Sequence, residues 1–241
     1  MNLIKSGVVT ATLFNAVLST TSLAENTATE NIKDSKSTIL AVANENITAT
    51  KEQFTNSKSK IELMAKLAKI EFFSAKFTQK TFDESGVELQ QGSGQLSVSK
   101  PNLVNWQTKL PDESLIVSDG SNLWFYDPFV EQVSVYTLQN AIANTPILLI
   151  TNNDPKLWQD YRVSQLSDNN YLIQAKNDNA RVKSLELTFS DNGAREQLIA
   201  FNILDATGQL SVISLSEHNN QANNDLFNFT VPEGVYLDDQ R

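Results

Sequence analysis

A change of hydrophobic period near residue 72 restricts this chain more than any other feature. Ahead of it, Ile61, Leu63, Met64, Leu67, Ala68 and Ile70 recur at helical spacing with Lys60, Glu62, Lys66 and Lys69 between them, predicting an amphipathic helix over 58–71. After it, Phe73, Ala75 and Phe77 alternate with Ser74, Lys76 and Thr78, the mark of a strand with one buried face. The rest of the chain repeats that theme. Further strands are expected at 96–98, 104–106, 115–117, 123–126, 133–137, 161–165, 171–175, 185–189, 198–203, 210–215 and 227–231, with turns at Asp119-Gly120 and Asp191-Asn192-Gly193. Roughly ten or eleven strands in succession predict an antiparallel meander that rolls into a barrel or folds into a sandwich. One stretch departs from period two. Leu138, Ala141 and Ile142, then Ile147 to Ile150 after Asn144-Thr145-Pro146, predict a broken helical segment that restarts at the proline.

A barrel of about eight strands is filled by its own side chains, whereas a larger one leaves room inside. Two helices over its mouth would enclose a single apolar compartment. Alternation selects Leu96, Val98, Val104, Trp106, Ile142 and Leu149 as candidate lining residues; ordinary core packing is the plainer reading of each. Continuing the alternation of Leu96 and Val98 turns Lys100 inward, just before Pro101. A buried ammonium needs acceptors, and the orphan carbonyls at the end of a covering helix would supply them. The other reading ends the strand at Lys100 and leaves its side chain in water.

Composition narrows the function. With 241 residues the chain has material for one sizeable core, and its net charge of −9 argues against nucleic acid, which is gripped by clustered Lys and Arg. It contains no cysteine, so disulfides, thiolate metal sites and the lipid-modified cysteine of a bacterial lipoprotein are excluded. The single histidine, His218, lies in a polar run and is read as a solvated loop residue. No catalytic residue, metal site or cofactor is expected. Residues 1–24 read as a secretory signal peptide, with Lys5 at its start, an apolar stretch too short to span a membrane, and Ser22-Leu23-Ala24 at the cut. Residues 25–57 form a polar extension expected to be disordered, and 58–241 the folded domain.

Several runs resemble a known family. They include Phe77-Thr78-Gln79-Lys80, Gln91-Gly92-Ser93-Gly94-Gln95-Leu96, Lys100-Pro101-Asn102-Leu103-Val104-Asn105-Trp106, Leu123-Trp124-Phe125-Tyr126-Asp127-Pro128-Phe129-Val130-Glu131-Gln132, Asn144-Thr145-Pro146 and Asp238-Asp239-Gln240-Arg241. In unbroken order from about Lys58 to Arg241, they are similar to the outer-membrane lipoprotein carriers of the LolA family. The resemblance implies an unclosed, roughly eleven-stranded antiparallel β-barrel with a helical lid over a hydrophobic cavity. It also implies a monomeric periplasmic carrier that takes acylated lipoproteins from the inner-membrane transporter LolCDE and delivers them to the outer-membrane receptor LolB. In that family the inward basic residue is an arginine that bonds to the lid. Here Lys100 stands in its place and Val104 in place of a phenylalanine, and lysine offers three point-like bonds rather than a rigid five-donor fork.

Two rival readings differ in class. An enzyme would need a nucleophile with a base, but Gly-x-Ser-x-Gly is absent and the only histidine is isolated. An envelope-stress sensor or lipid-binding protein on the same half-barrel would bind a signalling partner instead of delivering cargo.

Overall fold

A computed structural model describes residues 56–142, 146–152, 154–190 and 196–241. They belong to one compact unit, Glu45–Arg241. The predicted signal peptide lies outside the described residues, as does the extension apart from its last two positions.

Helix α1 runs through 56–68. Ser59, Leu63 and Leu67 fall one turn apart and are buried, which makes the core-facing stripe narrower than the sequence suggests. Ile61, assigned to that stripe by spacing, faces outward at 68% exposure.

Six strands follow: β1 (Phe72–Phe82), β2 (Glu88–Ser99), β3 (Leu103–Leu110), β4 (Ser114–Asp119), β5 (Asn122–Asp127) and β6 (Gln132–Thr137). The predicted break is present as a short helix α2 (Leu138–Ile142) and a 3₁₀ turn that begins at the proline (Pro146–Thr151). A second 3₁₀ turn (Leu157–Asp160) leads into β7 (Tyr161–Ser167), β8 (Asn170–Ala175), β9 (Val182–Phe189), β10 (Leu198–Asp205) and β11 (Leu210–Asn219). The chain closes with a third 3₁₀ turn (Asn224–Phe227) and β12 (Tyr236–Asp239).

These strands form one twelve-stranded sheet in the order β12-β6-β5-β4-β3-β2-β1-β11-β10-β9-β8-β7. Two meanders are thus joined by antiparallel pairing of β1 with β11. β7 and β12 remain as separate edges, so the barrel is unclosed. Register shifts interrupt the pairing of β1 with β11, β9 with β10 and β7 with β8, irregularities of the kind that bend a sheet.

Two sequence expectations need correction here. Residues 227–231 are not a strand: Phe227 ends the third 3₁₀ turn and the true last strand is β12. That strand also runs parallel to β6, with Tyr236 opposite Gln132 and Asp239 opposite Val135, so the sheet is not antiparallel throughout. The misreading has a physical origin. Phe227 is buried because the segment lies across a sheet face, and burial without a ladder imitates a strand in sequence.

Pleating gives the sheet two different faces. On the inner face, Val98 lies opposite Val104 and Leu96 opposite Trp106, and Phe73, Ala75 and Phe77 continue the layer on β1. Phe201, Ile213, Leu185, Leu187, Val163 and Ile173 extend it through the second meander, and all of these join Leu63 and Leu67 of α1 in one buried cluster. Gly94 permits the closest approach in that layer. A Cβ there would lie 1.9 Å from the Gln107 carbonyl oxygen and 2.8 Å from Phe77 Cε1.

The outer face carries a second apolar patch. Val117, Val133 and Val135 are buried there, with Trp124 between them. The C-terminal segment covers it: Phe227 is buried, Asn105 Nδ2 donates to the Leu226 carbonyl at 2.7 Å, and the Phe229 ring lies 5.5 Å from that of Trp124.

Candidate functional site

The candidate site is the inner face where α1, α2 and the 3₁₀ turn Pro146–Thr151 cover it. Leu96, Val98, Val104 and Leu149 are at most 1% exposed, Trp106 is 8% exposed, and all five belong to the inner cluster. Ile142 ends α2; its side chain lies outside the described residues. Trp106 spans the two meanders. Its ring meets Phe77 of β1 edge-on at 5.5 Å and Phe201 of β10 edge-on at 5.7 Å.

Lys100 lies in the turn that joins β2 to β3. Its ammonium donates to the Leu67 carbonyl, in the last turn of α1, where the helix leaves carbonyls unpaired and its dipole favours a cation. Burial lowers the Lys100 pKa below the ordinary lysine value, and the neighbouring Glu71 carboxylate works against that shift. The Lys100 backbone N–H also donates to the Glu71 carbonyl at 3.0 Å.

The same turn holds the other covering segment. Asn102, in the left-handed region at φ 64°, donates its N–H to the Thr151 carbonyl at 3.2 Å, and its side-chain oxygen accepts from Asn152 Nδ2 at 2.6 Å. Ser118 of β4 donates its hydroxyl to the Asn102 carbonyl and so steadies the turn from beneath. Residues 100–102 therefore fasten both covers to the sheet through hydrogen bonds.

Three more lysines fasten α1, and none was singled out from sequence. Lys60 Nζ donates to the carbonyls of Trp158 at 2.7 Å and Tyr161 at 3.0 Å. Lys66 and Lys69 share the carboxylate of Glu196, Lys69 at 3.3 Å. Burial raises the Glu196 pKa, but the bonds from both lysines outweigh it and hold the carboxyl below its ordinary value. These partners lie about a hundred residues or more from α1 in sequence, and no local pattern announces them.

An open groove of about 490 Å³ runs beside α1, lined by Glu62, Lys66, Lys69, Gln165, Asp168 and Tyr171. Its charged walls are unsuited to a bare hydrocarbon chain. His218, read from sequence as a loop residue, is instead in β11, half-buried, with Nε2 2.8 Å from the Leu198 carbonyl oxygen. Among the described residues no group of three or more His, Cys, Asp or Glu side chains is placed to hold a metal ion.

Residues 68–230 match the family described as "Outer membrane lipoprotein carrier protein LolA". An outer-membrane lipoprotein carrier protein from Aeromonas salmonicida is 44% identical over 181 residues, 74% of this chain and 88% of that protein. One from Yersinia enterocolitica is 41% identical over 181 residues, 75% of this chain and 87% of its own length. Among solved structures, a LolA superfamily protein from Nitrosomonas europaea is similar with a TM-score of 0.42 and 14% identity, over 73% of this chain and 98% of that one. The matched residues run from the end of α1 to within a few residues of β12, and the chain belongs to the outer-membrane lipoprotein carrier family.

Proposed function

We propose that the protein is a non-enzymatic periplasmic carrier that shelters the acyl chains of lipoproteins between α1 and the inner face of the half-barrel. It receives them from an inner-membrane transporter of the LolCDE type and yields them to an outer-membrane receptor of the LolB type. The observation that carries this reading is how α1 is held. A helix sealing an apolar interior is fastened at its C-terminal end by side-chain ammonium groups, Lys100 on the Leu67 carbonyl and Lys66 and Lys69 on Glu196, bonds that water can replace.

The scale of the problem fits such a device. Three acyl chains hold roughly 45 methylenes, and exposing them to water costs on the order of 30 kcal/mol as an upper bound. A carrier must offer comparable apolar surface without holding it so tightly that release fails. Lifting α1 removes Leu63 and Leu67 from the inner cluster and uncovers Leu96, Val98, Val104 and Leu149 for hydrocarbon to replace them. The partner that loads the carrier supplies the work of opening.

Binding of a fluorescent triacylated lipopeptide tests the reading. Val104→Glu places a carboxylate in the inner layer and is expected to weaken binding at least tenfold while the sheet still folds. Normal binding by that variant, with circular dichroism unchanged, would remove Val104 from the site.

A further inference from the structure

Among the described residues two buried side-chain polar atoms have no hydrogen-bond partner: Trp158 Nε1 and Asn170 Oδ1. Asn170 still uses its amide nitrogen, which donates to Glu186 at 2.6 Å. The indole N–H is the only polar group of the Trp158 side chain, and it is unused. The residue is 1% exposed and belongs to the cluster that contains Leu63 and Leu67 of α1, Leu149 and Val163. Burying a donor without an acceptor is costly, and phenylalanine would fill much of the same space without that cost.

The position of Trp158 relates the unpaired donor to α1. Its own carbonyl accepts from Lys60 Nζ, so the backbone that carries the indole is tied to the covering helix. A movement of α1 that breaks the Lys60 bond frees the backbone that carries this ring, inside the same buried cluster as Leu63 and Leu67. A single neutral donor inside an apolar compartment suits a neutral acceptor that arrives attached to hydrocarbon.

We propose that Trp158 is a cargo-binding residue whose indole N–H donates to an acyl carbonyl, of an ester or an amide, at the root of a bound lipid chain. This inference rests on the carrier reading above. It adds to that reading a residue that recognises the linkage as well as the length of the chains. The bond fixes how deep a chain sits, because the carbonyl marks where hydrocarbon ends.

The test compares the wild type with Trp158→Phe, which keeps an aromatic ring and removes the donor. Three probes are used: a triacylated lipopeptide with two ester-linked and one amide-linked chains, its counterpart with both esters replaced by ethers, and that ether compound without the amide-linked chain. The variant is expected to bind the first probe about fivefold more weakly, as suits one hydrogen bond. A penalty that disappears with the second probe assigns the bond to an ester; one that persists assigns it to the amide. With the third probe the two proteins should bind equally. As a check independent of the variant, the Trp158 indole proton resonance of the wild type should move downfield when the first probe binds. Equal affinity of both proteins for the first probe, as would follow if a buried water served the indole throughout, would overturn the proposal. So would a penalty that survives with the third probe, because that assigns the effect to packing. Failure of the wild type to bind any of the probes would overturn the carrier reading itself, a result distinct from penalty-free binding by both proteins.

Discussion

The two faces of this sheet are both covered, and by different kinds of contact. On the outer face the C-terminal segment is built in. β12 adds a backbone ladder to β6, Gln240 N–H donates to the Val135 carbonyl at 2.8 Å, Phe227 is buried, and the Phe229 ring packs against that of Trp124. On the inner face α1 buries Leu63 and Leu67, and its other ties are side-chain bonds: the ammonium groups of Lys60, Lys66, Lys69 and Lys100, and the Asn56 side-chain oxygen, which accepts from the Val163 N–H at 3.1 Å. Ladder bonds and buried rings come apart only with the fold, while lysine bonds exchange with water at small net cost. In the function proposed above, one cover is permanent and the other releasable.

Removing the permanent cover should do the most harm. Phe227→Ala empties a buried site on the outer face and is expected to cost about 3–5 kcal/mol in urea unfolding. A loss under about 1 kcal/mol would place the C-terminal segment among the releasable parts and dissolve the contrast.

Lys100→Leu attacks the releasable cover. It removes the tie to the Leu67 carbonyl and leaves the sheet ladders intact. Global stability should change by less than about 1 kcal/mol, whereas the opening equilibrium of α1, read by hydrogen exchange of residues 60–68, should rise about five- to tenfold. Exchange as slow as in the wild type would show that Lys100 does not latch the helix.

Acid should produce a smaller effect at the same helix. The Glu196 carboxyl titrates lower in the folded protein than its ordinary value of 4.5. The unfolded chain therefore binds the proton first, so the contribution of Glu196 is full above about pH 4.5 and is lost as pH falls through the lowered value. Exchange at the C-terminal end of α1 should accelerate two- to threefold more on acidification in the wild type than in Glu196→Gln. Equal acceleration in both would remove Glu196 from the fastening.

What the sequence reveals follows the same division. Period-two alternation reads out the inner face well, because β1, β2 and β3 set small or polar residues such as Ser74, Ser97 and Asn105 against buried apolar ones. It fails where both faces are covered. Val117, Val133 and Val135 face outward beneath the C-terminal segment, and β12 is so short and exposed that it shows no alternation. Alternation leaves Lys100 between a buried tie and a solvated strand end, and the family resemblance is what points to the covering helix, where its ammonium meets the Leu67 carbonyl. Lys60, Lys66 and Lys69 were not legible, since lysines on a helix read as a solvated face until their distant partners are known. Trp158 could be read only as another core aromatic, because an unpaired donor is defined by what surrounds it in space.

Hydrogen exchange of the loaded and unloaded protein tests the division between the two covers most directly. On binding a triacylated lipopeptide, the amides of 60–70 should change protection by tenfold or more as hydrocarbon displaces Leu63 and Leu67, while those of β6 and β12 stay as they were. Binding that leaves α1 as protected as before, or that loosens β12 instead, would contradict the account.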